Sequence, residues 1–164
     1  MTHQKLEETS KLVFEKLDLK LQNLVIEKES EDYYAAQFKL NDLKIVFREA
    51  KITPTKIGQF VTLWKRIDKK PIQPLEVTDD FDFVIINAKT SINFGQFVFP
   101  KKILEQKGYL KSQSKIGKLG FRIYPSWDKT TNKQAKQTQK WQLDYFIETP
   151  INLSKAKALY STNQ

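Results

Sequence analysis

Hydrophobic residues recur with two different periods in the first third of the chain, and each period predicts one kind of element. Over residues 6–19 the apolar side chains fall on one stripe at helical spacing, which predicts an amphipathic helix. Apolar or alternating runs follow and predict strands at residues 24–28, 33–40 and 43–51. The dipeptide Asn41-Asp42 lies between the last two runs and is typical of a two-residue hairpin loop.

The period changes after residue 52 and predicts a second helix over residues 54–67. Thr53 has the side chain of an N-cap, and Pro54 fits the first helical turn. One face of this helix would carry five apolar residues, namely Ile57, Phe60, Val61, Trp64 and Ile67. The remaining pattern predicts a loop at 69–80, strands at 81–88, 93–99 and 120–124, and helices at 100–107, 130–147 and 155–160.

Together the predicted elements indicate an α/β (α+β) fold, with a central mixed β-sheet flanked by helices on both faces. The chain has 164 residues, the usual length of one domain, so we expect a single domain over 1–150 and a C-terminal tail over 151–164. The N-terminal residues are polar and charged, and no apolar run approaches the roughly 20 residues of a membrane span. We therefore expect a cytoplasmic protein with neither a signal peptide nor a membrane partner.

The composition excludes several kinds of site. The chain has no cysteine and one histidine, His3, so disulfides, thiolate or histidine metal sites and Ser-His-Asp triads are excluded. Any chemistry must come from carboxylates, lysines, arginines and hydroxyl groups. As metal ligands, these groups suit Mg²⁺ or Mn²⁺.

Positive charge is concentrated in one quarter of the sequence. Residues 100–140 contain eleven basic and two acidic residues, and this surplus equals the net charge of +9 of the whole chain. A localised surplus creates a directional field that attracts a polyanion, and nucleic acid is the natural candidate. The alternatives are an acidic protein partner and a lysine-rich face that contacts only solvent.

The basic quarter also contains groups that bind bases and phosphates. Residues 115–128 combine cations with aromatic rings, and the candidates here are Lys118, Arg122, Tyr124 and Trp127. Cations bind phosphates, and exposed rings stack on unpaired bases. On the predicted helix 130–147, a narrow arc carries Lys133, Lys136, Gln137 and Lys140. We expect RNA and single-stranded DNA as partners, with weaker binding of double-stranded DNA; alternatively, the rings belong to the core and the helical arc is solvated.

A second candidate site lies at the end of the third predicted strand. Glu49 and Lys51 alternate with Ala50, so they share a strand face and lie about 6 to 7 Å apart. The hairpin register places Asp32 opposite Lys51. The spacing Glu-x-Lys resembles half of the motif of restriction-endonuclease-like nucleases, in which the acid binds a divalent metal and the lysine orients or activates water.

Three interpretations of this second site stay open. Asp32, Glu49 and Lys51 form a catalytic site in which Asp32 and Glu49 bind Mg²⁺ or Mn²⁺. Alternatively, Glu49 and Lys51 form an ordinary surface ion pair. In the third interpretation a degenerate site binds phosphate through Arg48, Lys51 and Lys56, at the start of the predicted helix 54–67.

The chain resembles the MepB family over four blocks. These are FREAKITPTKIGQFVTLWKR at 47–66, GQFVFPK at 95–101, GKLGFRIYPSWD at 117–128 and QAKQTQKWQ at 134–142. The resemblance implies a restriction-endonuclease-like core and a nucleic-acid-binding protein whose nuclease motif lacks its aspartate half. We therefore expect binding of single-stranded DNA or RNA in a basic groove without cleavage, with a metal-dependent nuclease as the alternative.

The family name adds one more alternative. It derives from a bacterial gene cluster shared with a multidrug efflux pump and its repressor. The resemblance therefore also implies a protein-interaction partner in a drug-response operon.

Overall fold

The structure is a computed structural model, and it describes residues 1–161. Within this range the strands are β1 (Leu21–Ile26), β2 (Ala36–Leu40), β3 (Leu43–Glu49), β4 (Lys51–Ile52), β5 (Gln59–Thr62), β6 (Trp64–Lys65), β7 (Gln73–Pro74), β8 (Phe83–Lys89), β9 (Phe94–Pro100), β10 (Gly120–Ile123) and β11 (Phe146–Glu148). The α-helices are α1 (Thr2–Thr9), α2 (Lys101–Gln106), α3 (Lys133–Gln142) and α4 (Leu153–Tyr160). Helix α1 continues as a π-helical turn over Ser10–Phe14 and a 3₁₀ turn over Glu15–Leu17, so the predicted first helix is present. Two further 3₁₀ turns lie at Glu31–Tyr33 and Leu143–Tyr145.

Six strands form the central sheet in the order β1-β2-β3-β8-β9-β11. Strands β1, β2 and β3 form an antiparallel meander, and Leu40 pairs with Leu43 across the predicted hairpin loop. Asn41 takes a left-handed conformation in that loop, which asparagine adopts more readily than most residues. Strand β8 runs parallel to β3 and antiparallel to β9, so the sheet is mixed, as predicted.

The sheet is covered on both faces because the side chains of its central strands are apolar on both sides. In β8, Phe83 and Ile85 face a cluster that contains Phe14 of the N-terminal helical segment and Tyr160 of α4. The alternate residues of β8 face a second cluster built by α2, α3, β5 and β10. A strand that is buried on both faces is expected to read as a continuous apolar run. The predicted α/β class, with helices on both faces of a mixed sheet, is confirmed.

The predicted helix over residues 54–67 is wrong. This segment contains an exposed loop followed by β5 and β6, and β5 pairs with β4 on one side and β10 on the other. From Gln59 to Trp64 burial alternates with period two, which is the strand pattern. Over so short a stretch the apolar positions fit both the helical and the strand period. Pairing with β10, which is distant in the sequence, makes this segment a strand.

Two other boundaries differ from the prediction. The predicted helix 130–147 ends as α3 at Gln142, and its last residues form β11, which pairs with β9. Asn132 caps α3, because its side-chain oxygen accepts a hydrogen bond from the backbone of Ala135 at 2.8 Å. The segment expected to be a tail contains α4, whose Ala156 and Tyr160 are buried, while residues 162–164 lie outside the described range. In the described range, none of the helices has the length and apolar character needed to cross a membrane.

A buried chain of polar side chains joins α4 to α1 across β9 and β8. The hydroxyl of Tyr160 donates to Gln96 Oε1 at 2.5 Å, and Gln96 Nε2 donates to Asn87 Oδ1 at 3.0 Å. Asn87 Nδ2 donates to the Thr9 hydroxyl at 2.6 Å, and that hydroxyl donates to the Lys5 carbonyl at 2.9 Å. Each buried polar group in this polar chain thus has a partner, which avoids the cost of leaving it unsatisfied.

We predict that Gln96→Ala lowers the free energy of unfolding by about 2 to 4 kcal/mol. The substitution leaves the Asn87 oxygen and the Tyr160 hydroxyl buried without their partner. Urea unfolding monitored by circular dichroism measures the effect, and Gln113→Ala, at an exposed position, is the matched control. Equal unfolding free energies for the two variants would contradict this role of the polar chain.

Candidate nucleic-acid interface

The three residues predicted to be catalytic line one cleft. Asp32, Glu49 and Lys51 share a cavity of about 1100 Å³ with the start of α1 and the end of β1. The cleft exists because β3 ends beside the N-terminal helix, and the chain then turns away into the second sheet. The structure therefore brings together residues that the sequence placed in one site, although their contacts differ from those expected.

Glu49 is buried and paired with a residue from another element. Its carboxylate oxygen Oε1 lies 3.2 Å from the ammonium of Lys5 on α1, and only 8% of the side chain is exposed. Burial raises the pKa of the Glu49 carboxyl group above its usual range, while the positive charges of Lys5 and Lys89 oppose the shift. Sequence reasoning missed Lys5, because nothing in the local pattern of α1 indicates which strand end it faces.

Lys51 and Asp32 belong to the exposed rim of the same cleft. The ammonium of Lys51 lies 3.7 Å from Asp32 Oδ2 and 4.8 Å from the ring centre of Tyr33. Lys51 starts β4 in the second sheet, so the expected shared strand face with Glu49 ends at Ala50. Asp32 lies in the 3₁₀ turn before β2 rather than in the strand, so its expected strand pairing opposite Lys51 is wrong.

The two carboxylates expected to bind a metal ion are each paired with a lysine. No group of three or more His, Cys, Asp or Glu side chains in residues 1–161 is arranged to hold a metal ion. The Glu49 carboxylate is held by the ammonium of Lys5, and Asp32 pairs with Lys51. The residues described thus do not fit the Mg²⁺ or Mn²⁺ site that Asp32 and Glu49 were expected to form.

The predicted phosphate site at the start of a helix is wrong, because no helix begins at Pro54. Arg48 lies on the opposite side of β3 from Glu49 and is 1% exposed. It donates to its neighbour's carbonyl, that of Phe47, at 2.8 Å and lies 3.3 Å from Glu27. Burial lowers the pKa of the Arg48 guanidinium, and the negative charge of Glu27 opposes the shift. Lys56 is exposed in the loop between β4 and β5.

Arg122 fixes that loop from β10. Its guanidinium donates to the Thr53 hydroxyl at 2.7 Å and to the carbonyls of Ile57 and Gly58 at 3.1 Å each. Gly58 has a positive φ of 86°, and a Cβ atom there would overlap the ring of Tyr124. Arg122 and Tyr124 therefore hold the loop in place, and each of the two side chains is half-buried.

Trp127 is also partly used in packing. Its ring centre lies 5.7 Å from that of Phe146 in an edge-on arrangement, and the side chain is half-buried. Its indole N–H is buried and has no hydrogen-bond partner among the described residues. Part of this ring thus stays exposed, while its N–H is buried.

Lysines from three segments lie on α3 or against the aromatic rings packed at its C-terminal end. Lys107 lies 5.3 Å from the ring centre of Trp141, and Lys118 lies 5.3 Å from that of Tyr109. The two rings meet edge-on with their centres 5.6 Å apart, so both lysines lie against the same pair of rings. On α3 itself the exposed polar residues are Lys133, Gln134, Lys136, Gln137 and Lys140. We call the lysines of this set the basic surface; they are Lys107, Lys118, Lys133, Lys136 and Lys140.

Two glutamines of α3 fix the helix that carries this surface. Gln142 accepts from the backbone of Tyr124 at 2.9 Å and donates to the carbonyl of Arg122 at 3.0 Å. Gln139 donates to the carbonyls of Pro125 and Asp128, at 2.9 and 2.8 Å. The basic quarter does not lie entirely on this surface, since Lys101 donates to the carbonyl of Asp79 and lies over the Phe81 ring.

The chain is thus an α/β protein whose mixed sheet is covered on both faces. It has two candidate sites, which are the basic helix α3 on one face of the sheet and the acid-lined cleft at the end of β3. The sequence model of the MepB-like family matches residues 27–148, a range that includes all four blocks of the predicted resemblance. This chain therefore belongs to the MepB-like family.

Two solved structures are similar to the chain. The crystal structure of MepB has a TM-score of 0.77 and 38% sequence identity, covering 80% of this chain and 89% of MepB. The structure of the bacterial homing endonuclease I-Ssp6803I has a TM-score of 0.46 and 15% identity, covering 91% and 88% of the two chains. No curated protein matches the sequence.

We predict that Lys5→Met raises the pKa of the Glu49 carboxyl group further, because the variant keeps the burial and loses the opposing charge. A raised carboxyl pKa makes the folded state less stable as the pH rises from the usual carboxyl pKa to the raised value. The variant should therefore lose more stability than the wild type when the pH rises towards neutrality.

Carbon-detected NMR titration of the Glu49 carboxyl group measures this pKa, and unfolding at a series of pH values measures the stability. Lys11→Met, at an exposed position in the same helical segment, is the matched control. An unchanged Glu49 pKa in Lys5→Met would contradict the assignment of Lys5 as its counter-ion.

Proposed function

We propose that this protein binds nucleic acid through the basic surface, chiefly by contacts to the phosphate backbone, and that it favours RNA and single-stranded DNA over duplex DNA. One observation carries the proposal. Residues 100–140 contain the whole surplus of positive charge, and lysines from three parts of this range lie on α3 or against the rings packed beside it. Such a concentration of cations attracts a polyanion and is otherwise a source of self-repulsion.

The spacing of the α3 lysines supports backbone contact. Lys133 and Lys140 are seven residues apart, so they span about 10 Å along the helix axis. Lys136 lies between them on the same arc, and the three ammonium groups can follow successive phosphates of one strand. Because these side chains are exposed and make no ion pair within 4 Å with any residue of 1–161, their charges are available to a ligand.

The preference for single strands is supported by two half-buried rings in the segment that Gln139 and Gln142 join to α3. Tyr124 and Trp127 follow β10 directly and keep part of each ring exposed. Unpaired bases can stack on such rings, whereas the bases of a duplex are already stacked on one another. The rings add to the binding, and the lysines supply most of it.

We predict that the triple variant Lys133→Ala, Lys136→Ala, Lys140→Ala binds single-stranded RNA and DNA more weakly. The slope of log affinity against log salt should fall by about 2 in magnitude, because three phosphate contacts no longer release counterions. Fluorescence anisotropy with labelled oligonucleotides at several salt concentrations measures both quantities.

The matched control removes the same charge elsewhere. Lys11→Ala, Lys16→Ala, Lys20→Ala changes three exposed lysines of the N-terminal segment, which packs on the other face of the sheet. This control should keep the wild-type affinity and salt slope. Equal losses in the two triple variants would show a general effect of charge and would contradict the basic surface as the binding site.

Cleavage is not part of the proposed function, because the cleft carboxylates are held by Lys5 and Lys51. We predict that labelled RNA, single-stranded DNA and duplex DNA stay intact when incubated with the protein and Mg²⁺ or Mn²⁺. Gel electrophoresis of the products measures this. Cleavage that is present in the wild type and absent in Glu49→Gln would contradict the prediction and favour the metal-dependent nuclease.

A further inference from the structure

A second region of the molecule has the composition of a ligand site. On the side of β3 that carries Arg48, a cavity of about 390 Å³ lies between the central sheet and the ribbon formed by β6 and β7. An adjacent cavity of about 330 Å³ contains Tyr33 and Thr62. Trp64 and Lys28 line both cavities, so the two form one groove, which we call the Trp64 groove. Each cavity lies near the lower end of the roughly 300 to 1,000 Å³ that small-molecule sites occupy.

Trp64 is the flat surface of this groove. The side chain is half-buried, and it has no ring partner among the described aromatic pairs. The guanidinium of Arg66 lies 5.9 Å from its ring centre. An indole with an adjacent cation is a preferred stacking partner for a planar aromatic ligand.

Two polar atoms in the walls of the groove have no partner. Arg48 is 1% exposed, and its Nε–H has no hydrogen-bond acceptor among the described residues. The hydroxyl of Thr62, in the adjacent cavity, is also buried without a partner. An unsatisfied donor on a buried guanidinium is costly, and a bound acceptor such as a phosphate oxygen would satisfy it.

The charges of the groove favour an anionic group on one side and an amino group on the other. Lys28 makes no ion pair within the described residues, and its ammonium is exposed at the junction of the two cavities. The acids of the larger cavity, Glu27 and Glu29, pair with Arg48 and Arg66, and each carboxylate keeps lone pairs for further donors. Two more acids, Glu31 and Asp32, line the smaller cavity, so the amino group of a ligand is favoured on that side. The fourth cation, Lys65, lines the larger cavity, and its ammonium is held by Glu76 at 2.8 Å and Asp79 at 2.6 Å, two acids that do not line it.

We propose that the Trp64 groove binds a nucleotide, with the base stacked on Trp64 and the phosphate bound by Lys28 and Arg48. A free nucleoside monophosphate and an unpaired nucleotide within a strand carry the same chemistry. The site does not rest on the basic surface, since none of its residues belongs to that surface. The two sites can therefore fail separately in experiments.

Titration of the full chain with the four ribonucleoside 5′-monophosphates tests the proposal, with calorimetry and tryptophan fluorescence as measurements. The wild type should bind at least one of them saturably. Trp64→Leu and Lys28→Ala should each weaken binding by about tenfold, and Trp64→Phe should retain most of it because phenylalanine keeps a stacking surface. Lys129→Ala, an exposed lysine outside the groove, is the matched control, and circular dichroism checks that each variant is folded.

Three results would overturn the proposal. They are the absence of saturable binding in the wild type, equal binding by folded Trp64→Leu, and binding of ribose 5-phosphate as tight as that of the nucleotides. The α3 triple-lysine variant should keep its affinity for mononucleotides, which separates this site from the basic surface. Competition with a single-stranded oligonucleotide distinguishes the two sources: displacement of the nucleotide assigns the groove to an unpaired nucleotide in a strand, and no displacement assigns it to the free nucleotide.

Discussion

The burial of β8 and β9 on both faces is the constraint on which the rest of the structure depends. Side chains of these strands are apolar on both sides, so neither face of the sheet can remain in contact with water. The N-terminal helical segment and α4 cover one face, and α2, α3 and the β10-β5-β4 sheet cover the other. The cleft at Glu49 and the Trp64 groove are each formed where a covering element meets the end or the side of β3.

The two faces of β3 have different chemistry because neighbouring residues point in opposite directions. Glu49 points to the face of α1, where Lys5 neutralises it, and Arg48 points to the face of the β6–β7 ribbon, where Glu27 is its partner. Two ionisable groups, one residue apart, are thus buried in separate environments. Burying each of these charged groups costs desolvation free energy, and the attraction of its partner offsets that cost. The local arrangement is therefore sensitive to the positions of Lys5 and Glu27.

Much of the fold could be predicted from the sequence. The hairpin at Asn41, the apolar β8, the short helix α2 and the arc of lysines on α3 all depend on local spacing, which can be read directly from the sequence. The segment 54–67 could not be predicted, because its apolar positions fit both periods and the deciding interaction is pairing with β10, some sixty residues further along. Lys5 and Trp64 were missed as site residues for the same reason: their partners come from distant elements, so no local pattern indicates them.

The buried polar chain from Thr9 to Tyr160 has a consequence for synthesis of the protein. Its hydrogen bonds all run in one direction, from the last helix through Gln96 and Asn87 to the first helix. Until Tyr160 has left the ribosome, the Gln96 oxygen and the face of the sheet beneath α4 have no cover. Contacts between positions so distant in sequence slow folding, so we expect this face of the core to form only after α4 has been synthesised.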